Sequence, residues 1–187
     1  MFNEFPQIET ENLILREIKP SDAEAIFQFF SDEQVIRYHD VGAFTSVVQA
    51  EILSDRWSER FRNQRGIRWG IAKKDDDIII GTCGYGQWIK QYFRAEIGYE
   101  LSKTHWRKGI MTEGLTAVVK FGFEKMELNR IEATVMMENI ASMRLLEKLG
   151  FQEEGILRKY GFWKGGFHDL KLFSLLKEDC INMGRSR

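Results

Sequence analysis

The segment with the clearest chemical potential is the run WRKGIMTE, residues 106–113. It places Arg107 and Lys108 directly before Gly109, at the start of a predicted helix. The first N–H groups of a helix have no intrahelical partner and lie at the positive end of its dipole. A basic, glycine-containing turn that leads from a strand into a helix therefore predicts a cradle for a phosphate or pyrophosphate group. Taken alone the motif has little specificity, because many such turns bind no ligand.

A change in hydrophobic period marks the elements on either side of this turn. Ile97, Tyr99 and Leu101 alternate with polar or glycine positions, as in a β-strand. Glu96 and Glu100 fall on the other face of that strand. After the turn, apolar residues recur at helical spacing, at Met111, Leu115, Val118, Val119 and Phe123. This spacing predicts a long helix with one buried face.

The remaining strand patterns predict a sheet of mixed direction. Strands are expected over residues 12–18, 67–72, 78–89, 130–135, 152–160 and 170–177. The glycines of GTCGYG, residues 81–86, do not lead into a helix, so a bend or a close backbone approach is expected there rather than a nucleotide loop. A strand–helix–strand crossover lies among hairpin-linked strands. The fold class is therefore α/β with α+β character, in a single domain over residues 1–187.

Further helices are predicted in the first and last thirds of the chain. Ser21 with Glu24, and Ser31 with Gln34, have capping-box spacing and predict two short consecutive helices. A third helix is expected to begin near Ser46 and to bury a stripe of apolar side chains, Val48, Ile52, Trp57 and Phe61. A last helix over residues 140–149 is expected to end at a glycine, Gly150.

Composition narrows the class of protein. The chain has 187 residues, 43% of them hydrophobic, and a net charge of −1. This balance argues against direct binding of nucleic acid or of a membrane, and the local arginine cluster, Arg60, Arg62, Arg65 and Arg68, is interpreted as a solvated face. Cys83 and Cys180 lack a CxxC partner and the three histidines lack metal spacing, so no metal is expected. A cytoplasmic protein without a signal or membrane-spanning segment is predicted.

Two stretches together resemble the GNAT-type N-acetyltransferases. They are ELSKTHWRKGIMTEG, residues 100–114, and ENIASMRLLEKLGFQEEGILR, residues 138–158. The likeness extends over nearly the whole chain and is closest to the branch of the ribosomal-protein-alanine acetyltransferases. It implies a mixed, mostly antiparallel sheet of about seven strands flanked by helices. It also implies acetyl-CoA as co-substrate and an amine as acceptor.

The resemblance assigns a cofactor-binding role to the basic turn. The family pattern Q/R-x-x-G-x-G/A falls on residues 106–111, with tryptophan in the first position and methionine in the last. The residues assigned to this site are Leu101, Trp106, Arg107, Lys108, Gly109, Ile110, Met111 and Thr112. Their backbone N–H groups are expected to hold the pyrophosphate. The pantetheine arm would pair with backbone where the strand ending at Leu101 separates from its neighbour over 130–135. Trp106 fits a packing residue over the turn as well as a cofactor contact.

The family's N-x-x-S motif falls on Asn139 and Ser142. The resemblance implies that Asn139 binds the pantetheine amides and that Ser142 offers its hydroxyl to the sulfur as a catalytic acid. Both residue types are also common at helix starts, so a purely structural role is the alternative. Of the nearby carboxylates, Glu96 is predicted to act as the base, directly or through water. Glu132 is expected to be an ion-pair partner, for example of Arg130.

The acceptor is constrained by the energy of deprotonation. At pH 7 a lysine amine costs roughly 4.6 kcal/mol to deprotonate, whereas an α-amine costs only about 1–1.4 kcal/mol. A site with a weakly defined base therefore favours a protein N-terminus. A small-molecule amine and a non-catalytic acyl-CoA sensor stay open as alternatives, and the sequence allows either a monomer or a homodimer.

Overall fold

One mixed sheet organises the chain, and helices pack on both of its faces. The computed structural model describes residues 2 and 4–180. Its strands are β1 (Ile8–Glu9), β2 (Leu13–Arg16), β3 (Ile67–Lys73), β4 (Asp76–Ile89), β5 (Arg94–Leu101), β6 (Arg130–Met136), β7 (Gln152–Trp163) and β8 (Gly166–Leu176). Its helices are α1 (Ala23–Phe30), α2 (Val47–Arg62), α3 (Ile110–Glu124) and α4 (Ile140–Lys148). Within these residues the strands lie in the order β1-β2-β3-β4-β5-β6-β8-β7.

The contact between β5 and β6 is parallel and short, in a sheet whose other described pairs are antiparallel. Its register runs from Arg94 opposite Arg130 to Glu96 opposite Glu132. Beyond Glu96, β5 stays paired with β4, and β6 stays paired with β8. The facing edges of the two strands therefore separate into a V-shaped gap, as the sequence analysis expects.

Alternation along β3 assigns the two faces of the sheet to two apolar clusters. Trp69 and Ile71 point to the face that α3 covers, where the larger cluster includes Leu115 and Val118. Ala72 belongs to the second cluster, which α1 and α2 cover. Arg68 alternates with Trp69 and so lies on the α1–α2 face.

The start of the chain differs from its prediction. The Ser21–Glu24 capping box does not form, because α1 follows a 3-10 turn over Pro20–Asp22. Instead, the buried carboxylate of Asp22 accepts hydrogen bonds from Arg16 Nη1 and Nη2 at 2.8 and 2.9 Å. The predicted helix at Ser31 is also absent. Non-helical turns occupy this segment, since the Asp32 side chain accepts from the backbone N–H of Gln34 at 2.8 Å.

Helix α2 begins at the predicted place, but it buries a different stripe. Ser46 caps the helix, and its side chain accepts from Val48 N at 3.3 Å. Val48 and Ile52 are 51% and 47% exposed, so their assignment to the core is wrong. Ala50 and Ser54 are buried in their place. A step of five residues from Ile52 to Trp57 does not keep one helical face, which the prediction overlooked.

The last hairpin is longer than predicted, and the sheet has one more strand. Residues 161–169, expected to be a connecting loop, extend β7 and β8 and leave Lys164 and Gly165 as a two-residue turn. Both residues have positive φ, 50° and 80°, which suits the tight turns that join twisted strands. The short strand β1 pairs with β2. The described sheet therefore has eight strands instead of about seven.

Candidate active site

The V-shaped gap opens into a cavity of about 470 Å³. Strand β5 contributes Ile97, Gly98 and Tyr99 to its wall, β6 contributes residues 133–136, and α4 contributes Asn139 and Ser142. Residues from the other side of the sheet complete it, among them His39, Arg60, Arg68, Gln87 and Trp163. The cavity therefore joins the predicted thioester end of the site to a second region rich in charged and aromatic side chains.

The basic turn has the backbone geometry of an anion cradle. Arg107 and Gly109 have positive φ, 59° and 79°, and Gly109 is the N-cap of α3. Gly109 has no side chain with which to cap the N–H groups of the first helical turn, residues 110–112. A Cβ added at Gly109 would meet no atom within 4 Å. The position of a side chain at Gly109 is therefore open, and no Gly109 side chain competes with a ligand for these N–H groups.

Trp106 ties this turn to the end of β5. Its indole Nε1 donates a hydrogen bond to the carbonyl oxygen of Leu101 at 2.8 Å. The Trp106 side chain is 40% exposed, whereas Leu101 is 8% exposed and belongs to the core. The Leu101 carbonyl is therefore already engaged, and this geometry gives Trp106 a positioning role for the turn.

At the start of α4 the N-x-x-S motif caps the helix. The Asn139 side-chain oxygen accepts from the backbone N–H of Ser142 at 3.2 Å. The Ser142 hydroxyl lies 2.7 Å from the hydroxyl of Tyr99 on β5. The cap consequently orients Ser142 across the V-shaped gap, toward the strand that precedes the basic turn.

Tyr99 is the residue that sequence reasoning missed. The sequence analysis used it only as one of the alternating apolar positions of a strand. Burial raises the pKa of the Tyr99 phenol to about 12, and the hydrogen bond with Ser142 opposes part of that rise. Tyr99 is therefore protonated at neutral pH and can act as a proton donor. The one feature of the sequence that indicated a functional role was the hydroxyl group of Tyr99, which lies on the part of β5 that is expected to separate from the neighbouring strand.

Glu96 also faces the cavity. One carboxylate oxygen accepts from the Thr134 hydroxyl at 2.5 Å, and the other accepts from Gln87 Nε2 at 3.0 Å. Gln87 lies on β4 and Thr134 on β6, so neighbouring strands on both sides fix the carboxylate. Glu96 lies just where β5 and β6 separate.

The other two carboxylates of this region hold structural ion pairs. Glu132 accepts from Arg94 at 3.0 Å and from Arg130 at 2.6 Å, which confirms its expected pairing with Arg130. Glu100 is 5% exposed and accepts from both Arg68 and Thr82. Neither carboxylate has the open position of Glu96.

The interpretation of the arginine cluster as a solvated face is wrong for Arg68. Its side chain is only 13% exposed and reaches from β3 across β4 to Glu100 on β5. The Arg68 guanidinium also lies over the ring of Trp57, 5.3 Å from the centroid. Arg60, from the end of α2, lies at the edge of the same cavity. The spacing along the sequence could not reveal this, because the partners come from separate elements.

The turn of the last hairpin closes one end of the cavity. Lys164 Nζ donates to the carbonyl oxygen of Ile36 at 3.0 Å and so fastens the hairpin to the segment that carries His39. Burial lowers the pKa of His39, a shift that the nearby Glu100 carboxylate opposes. His168, predicted in a turn, instead lies in β8 and stacks on Trp163 with ring centroids 4.4 Å apart.

Other chemical groups are poorly placed for catalysis. Cys83 is fully buried, and burial raises the pKa of its thiol to about 12, so it is a core residue rather than a nucleophile. In the described part of the chain, no three acidic, histidine or cysteine side chains group together in a way that could hold a metal ion. None of the described helices has the length and apolar character needed to cross a membrane.

Comparisons with known proteins agree with this geometry. A family model described as acetyltransferase (GNAT) domain matches residues 12–152. The uncharacterized N-acetyltransferase YoaA of Bacillus subtilis is 43% identical over 173 residues, which cover 92% of this chain and 98% of YoaA. The ribosomal protein uS5-alanine N-acetyltransferase of Escherichia coli is 25% identical and covers 92% of each chain. The chain therefore belongs to the GNAT family and is an N-acetyltransferase.

The solved structure of Mycobacterium smegmatis RimJ, in complex with CoA-disulfide, has the same fold. Its TM-score is 0.80 at 24% identity, with 92% of this chain and 90% of that chain covered. The predicted class, a mixed and mostly antiparallel sheet flanked by helices, is thus confirmed. The likeness to ribosomal-protein-alanine acetyltransferases is confirmed at the level of the family branch.

Proposed function

We propose that this N-acetyltransferase transfers the acetyl group of acetyl-CoA to an α-amine at a protein N-terminus. The observation that carries the proposal is the hydroxyl pair of Ser142 and Tyr99, 2.7 Å apart. The pair faces the same cavity as the Glu96 carboxylate. A proton donor and a proton acceptor thus share one cavity beside an anion cradle, as amine acetylation requires.

The residues present fit coenzyme A. The N–H groups of residues 107–112 suit the pyrophosphate, because no Gly109 side chain competes with a ligand for them. Arg107 and Lys108 add positive charge at the same turn. The unpaired edges of β5 and β6 offer backbone groups to the amides of the pantetheine arm. When bound, acetyl-CoA supplies an activated thioester, and the CoA-disulfide complex of RimJ supports this assignment.

The residues of the chain then divide the proton transfers between them. Glu96, held by Thr134 and Gln87, accepts the proton that the attacking amine releases, directly or through water. Ser142 would donate a proton to the departing sulfur and recover one from Tyr99 through their hydrogen bond. The proton taken up by Glu96 leaves to solvent and solvent returns one to the Tyr99 phenolate, so that both groups regain their starting state. Because burial keeps the pKa of Tyr99 near 12, the pair keeps its protons at neutral pH.

The acceptor follows from the limited strength of this base. Deprotonation at pH 7 costs an α-amine about 1–1.4 kcal/mol and a lysine amine roughly 4.6 kcal/mol. A single, partly solvated carboxylate such as Glu96 is better matched to the α-amine. The E. coli relative that is named as a ribosomal protein uS5-alanine N-acetyltransferase supports a protein acceptor.

The proposal is tested by a panel of acceptors with acetyl-CoA, read by release of the CoA thiol. The panel contains N-terminal peptides, the same peptides with a blocked α-amine and an internal lysine, polyamines and aminoglycosides. We expect turnover with the free N-terminal peptides and little with the blocked ones. Efficient turnover of blocked peptides or polyamines alone would overturn the acceptor class. CoA binding without turnover on any amine would indicate a sensor instead of an enzyme.

A further inference from the structure

Two guanidinium groups border the part of the cavity that lies beside Glu96. Arg60 comes from the end of α2, and Arg68 comes from β3. Both line the cavity that also contains Ser142 and Glu96. Neither arginine is used by the proton transfers proposed above. The ion pair with Glu100 accounts for the position of Arg68, whereas the position of Arg60 calls for a separate explanation.

Two glycines lie next to Glu96, and each has one of these guanidinium groups as a neighbour. Gly98 follows Glu96 by two residues on β5, and Gly86 pairs with Glu96 across β4 and β5, so all three positions face the same way. A Cβ at Gly98 would lie 3.1 Å from Arg68 Nη1, and a Cβ at Gly86 would lie 3.9 Å from Arg60 Nη1. The missing side chain of Gly98 therefore lets Arg68 approach the sheet closely, and Arg60 lies within ordinary contact distance of the Gly86 position.

A small cavity of about 40 Å³ lies between the two arginines. Its walls include Arg60, Arg68, Trp57 and Gly86. Arg60, Arg68 and Gly86 also line the large cavity, so the small cavity adjoins it. This volume exceeds the 10–15 Å³ or so that one water molecule needs, so it has room for a carboxylate group.

The two guanidinium groups still have donors to offer to the large cavity, which Gly98 also lines. Arg68 uses Nη2 on Glu100 and Nε on Thr82, which leaves Nη1 directed at Gly98. Within the described residues Arg60 forms no ion pair with any carboxylate. Since Glu100 already neutralises Arg68, the uncompensated positive charge of this small cavity belongs to Arg60.

We propose that Arg60 and Arg68 form a carboxylate subsite, and that the preferred acceptor is an α-amine with a carboxylate on its first or second residue. The amine lies against Glu96, and the carboxylate lies between the two guanidinium groups. Adjacent strands are about 5 Å apart and hydrogen bonds are near 3 Å, so the two groups are separated by roughly 5–8 Å. The side-chain carboxylate of a glutamate at the first position, or of an aspartate or glutamate at the second, spans this distance.

The positive charge of the subsite also disfavours acceptors that carry a second cation. Guanidinium groups bind carboxylates through paired N–H donors and repel cations. A polyamine places a second cation where Arg60 lies, so it should be a poor acceptor. The same chemistry could be supplied by an acidic N-terminal peptide or by a free acidic amino acid. This inference rests on the proposed acetyl transfer and narrows its acceptor.

The test compares peptides that differ only in the charge of one residue. Hexapeptides with Glu, Gln or Lys at the first or second position are assayed with acetyl-CoA by thiol release, beside free glutamate. The intact chain is compared with Arg60→Ala and with Arg62→Ala. Arg62 lies on the same helix but does not line either cavity, and it serves as the matched control.

For the unmodified chain we expect kcat/KM to be about 10- to 100-fold higher for a Glu peptide than for its Gln counterpart. Arg60→Ala should remove this preference mainly through KM and leave the Gln peptide within about threefold, whereas Arg62→Ala should preserve it. A preference shared by free glutamate would identify the free amino acid as the source of the carboxylate.

Two results would overturn the subsite. One is equal kcat/KM for the Glu and Gln peptides in the unmodified chain. The other is an Arg60→Ala variant that slows both peptides equally. Absence of turnover with every amine is a different outcome, because it would contradict the proposed function itself.

Discussion

At the turn before α3 the groups that can bind a ligand are backbone N–H groups, whereas in the cavity on the α2 side they are charged side chains. The first set comes from seven consecutive residues, 106–112, around one glycine. The second set comes from Arg60, Arg68, Glu96 and Glu100, which lie on three elements. We call residues 106–112 the backbone half and the four charged residues the side-chain half. Binding by the backbone half tolerates changes of side chain, whereas substitutions in the side-chain half can change the preference for an acceptor. Variants in each half should therefore fail in different ways.

The largest expected effect is on stability and concerns the side-chain half. Glu100→Ala removes the buried partner of Arg68, which leaves the guanidinium without a countercharge and the Thr82 hydroxyl without its acceptor. Breaking a buried pair in this way costs about 3–5 kcal/mol of the free energy of unfolding. Glu153→Ala, which breaks the more exposed pair with Lys171, should cost less than about 1 kcal/mol. Urea denaturation measures both, and similar losses for the two variants would contradict the buried role of Glu100.

The next effect concerns the backbone half. Gly109→Leu should weaken CoA binding about 100-fold, because the new side chain competes with the ligand for the N–H groups of residues 110–112. Gly165→Leu is the matched control, since Gly165 has φ of 80° against 79° and equally open surroundings. Both variants suffer similar backbone strain, but only the first should lose CoA in calorimetric titration. Equal CoA affinity for the two variants would refute the cradle.

A smaller effect is expected where the two halves meet. Tyr99→Phe keeps the ring but removes the hydroxyl that contacts Ser142, and kcat should fall about 10-fold with unchanged CoA affinity. Ser142→Ala should lower kcat by at least as much. Thiol release at saturating substrate measures kcat for both variants. Unchanged turnover in Ser142→Ala, with unchanged CoA affinity, would remove Ser142 from the acid role.

The smallest effect lies outside both halves and depends on pH. Hydrogen bonds from Arg130 and Ser174 lower the pKa of Glu154 to about 2, from an ordinary value of 4.5. A lowered carboxylate pKa contributes stability above about pH 4.5, and this contribution is lost as the pH falls toward 2. Because the Glu154 side chain is 39% exposed, Glu154→Gln should cost only about 0.5–1 kcal/mol at pH 7.

The pH profile distinguishes this ion pair from a packing effect. The stability difference between the unmodified chain and Glu154→Gln, from thermal unfolding, should shrink between pH 5 and pH 2.5 or so. A difference that stays constant over this range would show that Glu154 acts through packing and not through its charge.

Local patterns were sufficient for the elements that carry the cradle. Strand β5 and helix α3 follow from a period of two that changes to a helical period, and the turn between them follows from Gly109. The predicted capping box at Ser21 was wrong because a tertiary contact was formed in its place. Ser21 lost its capping role because the carboxylate of the next residue, Asp22, is held by the buried Arg16, two residues before the predicted end of the first strand.

The sequence by itself determined the strand–turn–helix unit, the N-x-x-S motif and the membership of the GNAT family, because each depends on neighbouring residues. Only the tertiary structure decided that Tyr99 meets Ser142, 43 positions away, and that Arg68 meets Glu100, 32 positions away. Periodicity specifies the face of the sheet on which a side chain lies. It does not specify where one strand separates from its neighbour, as β5 separates from β6. The proposed cofactor-binding turn could therefore be read from local sequence, whereas the proposed acceptor site is formed only where distant elements converge.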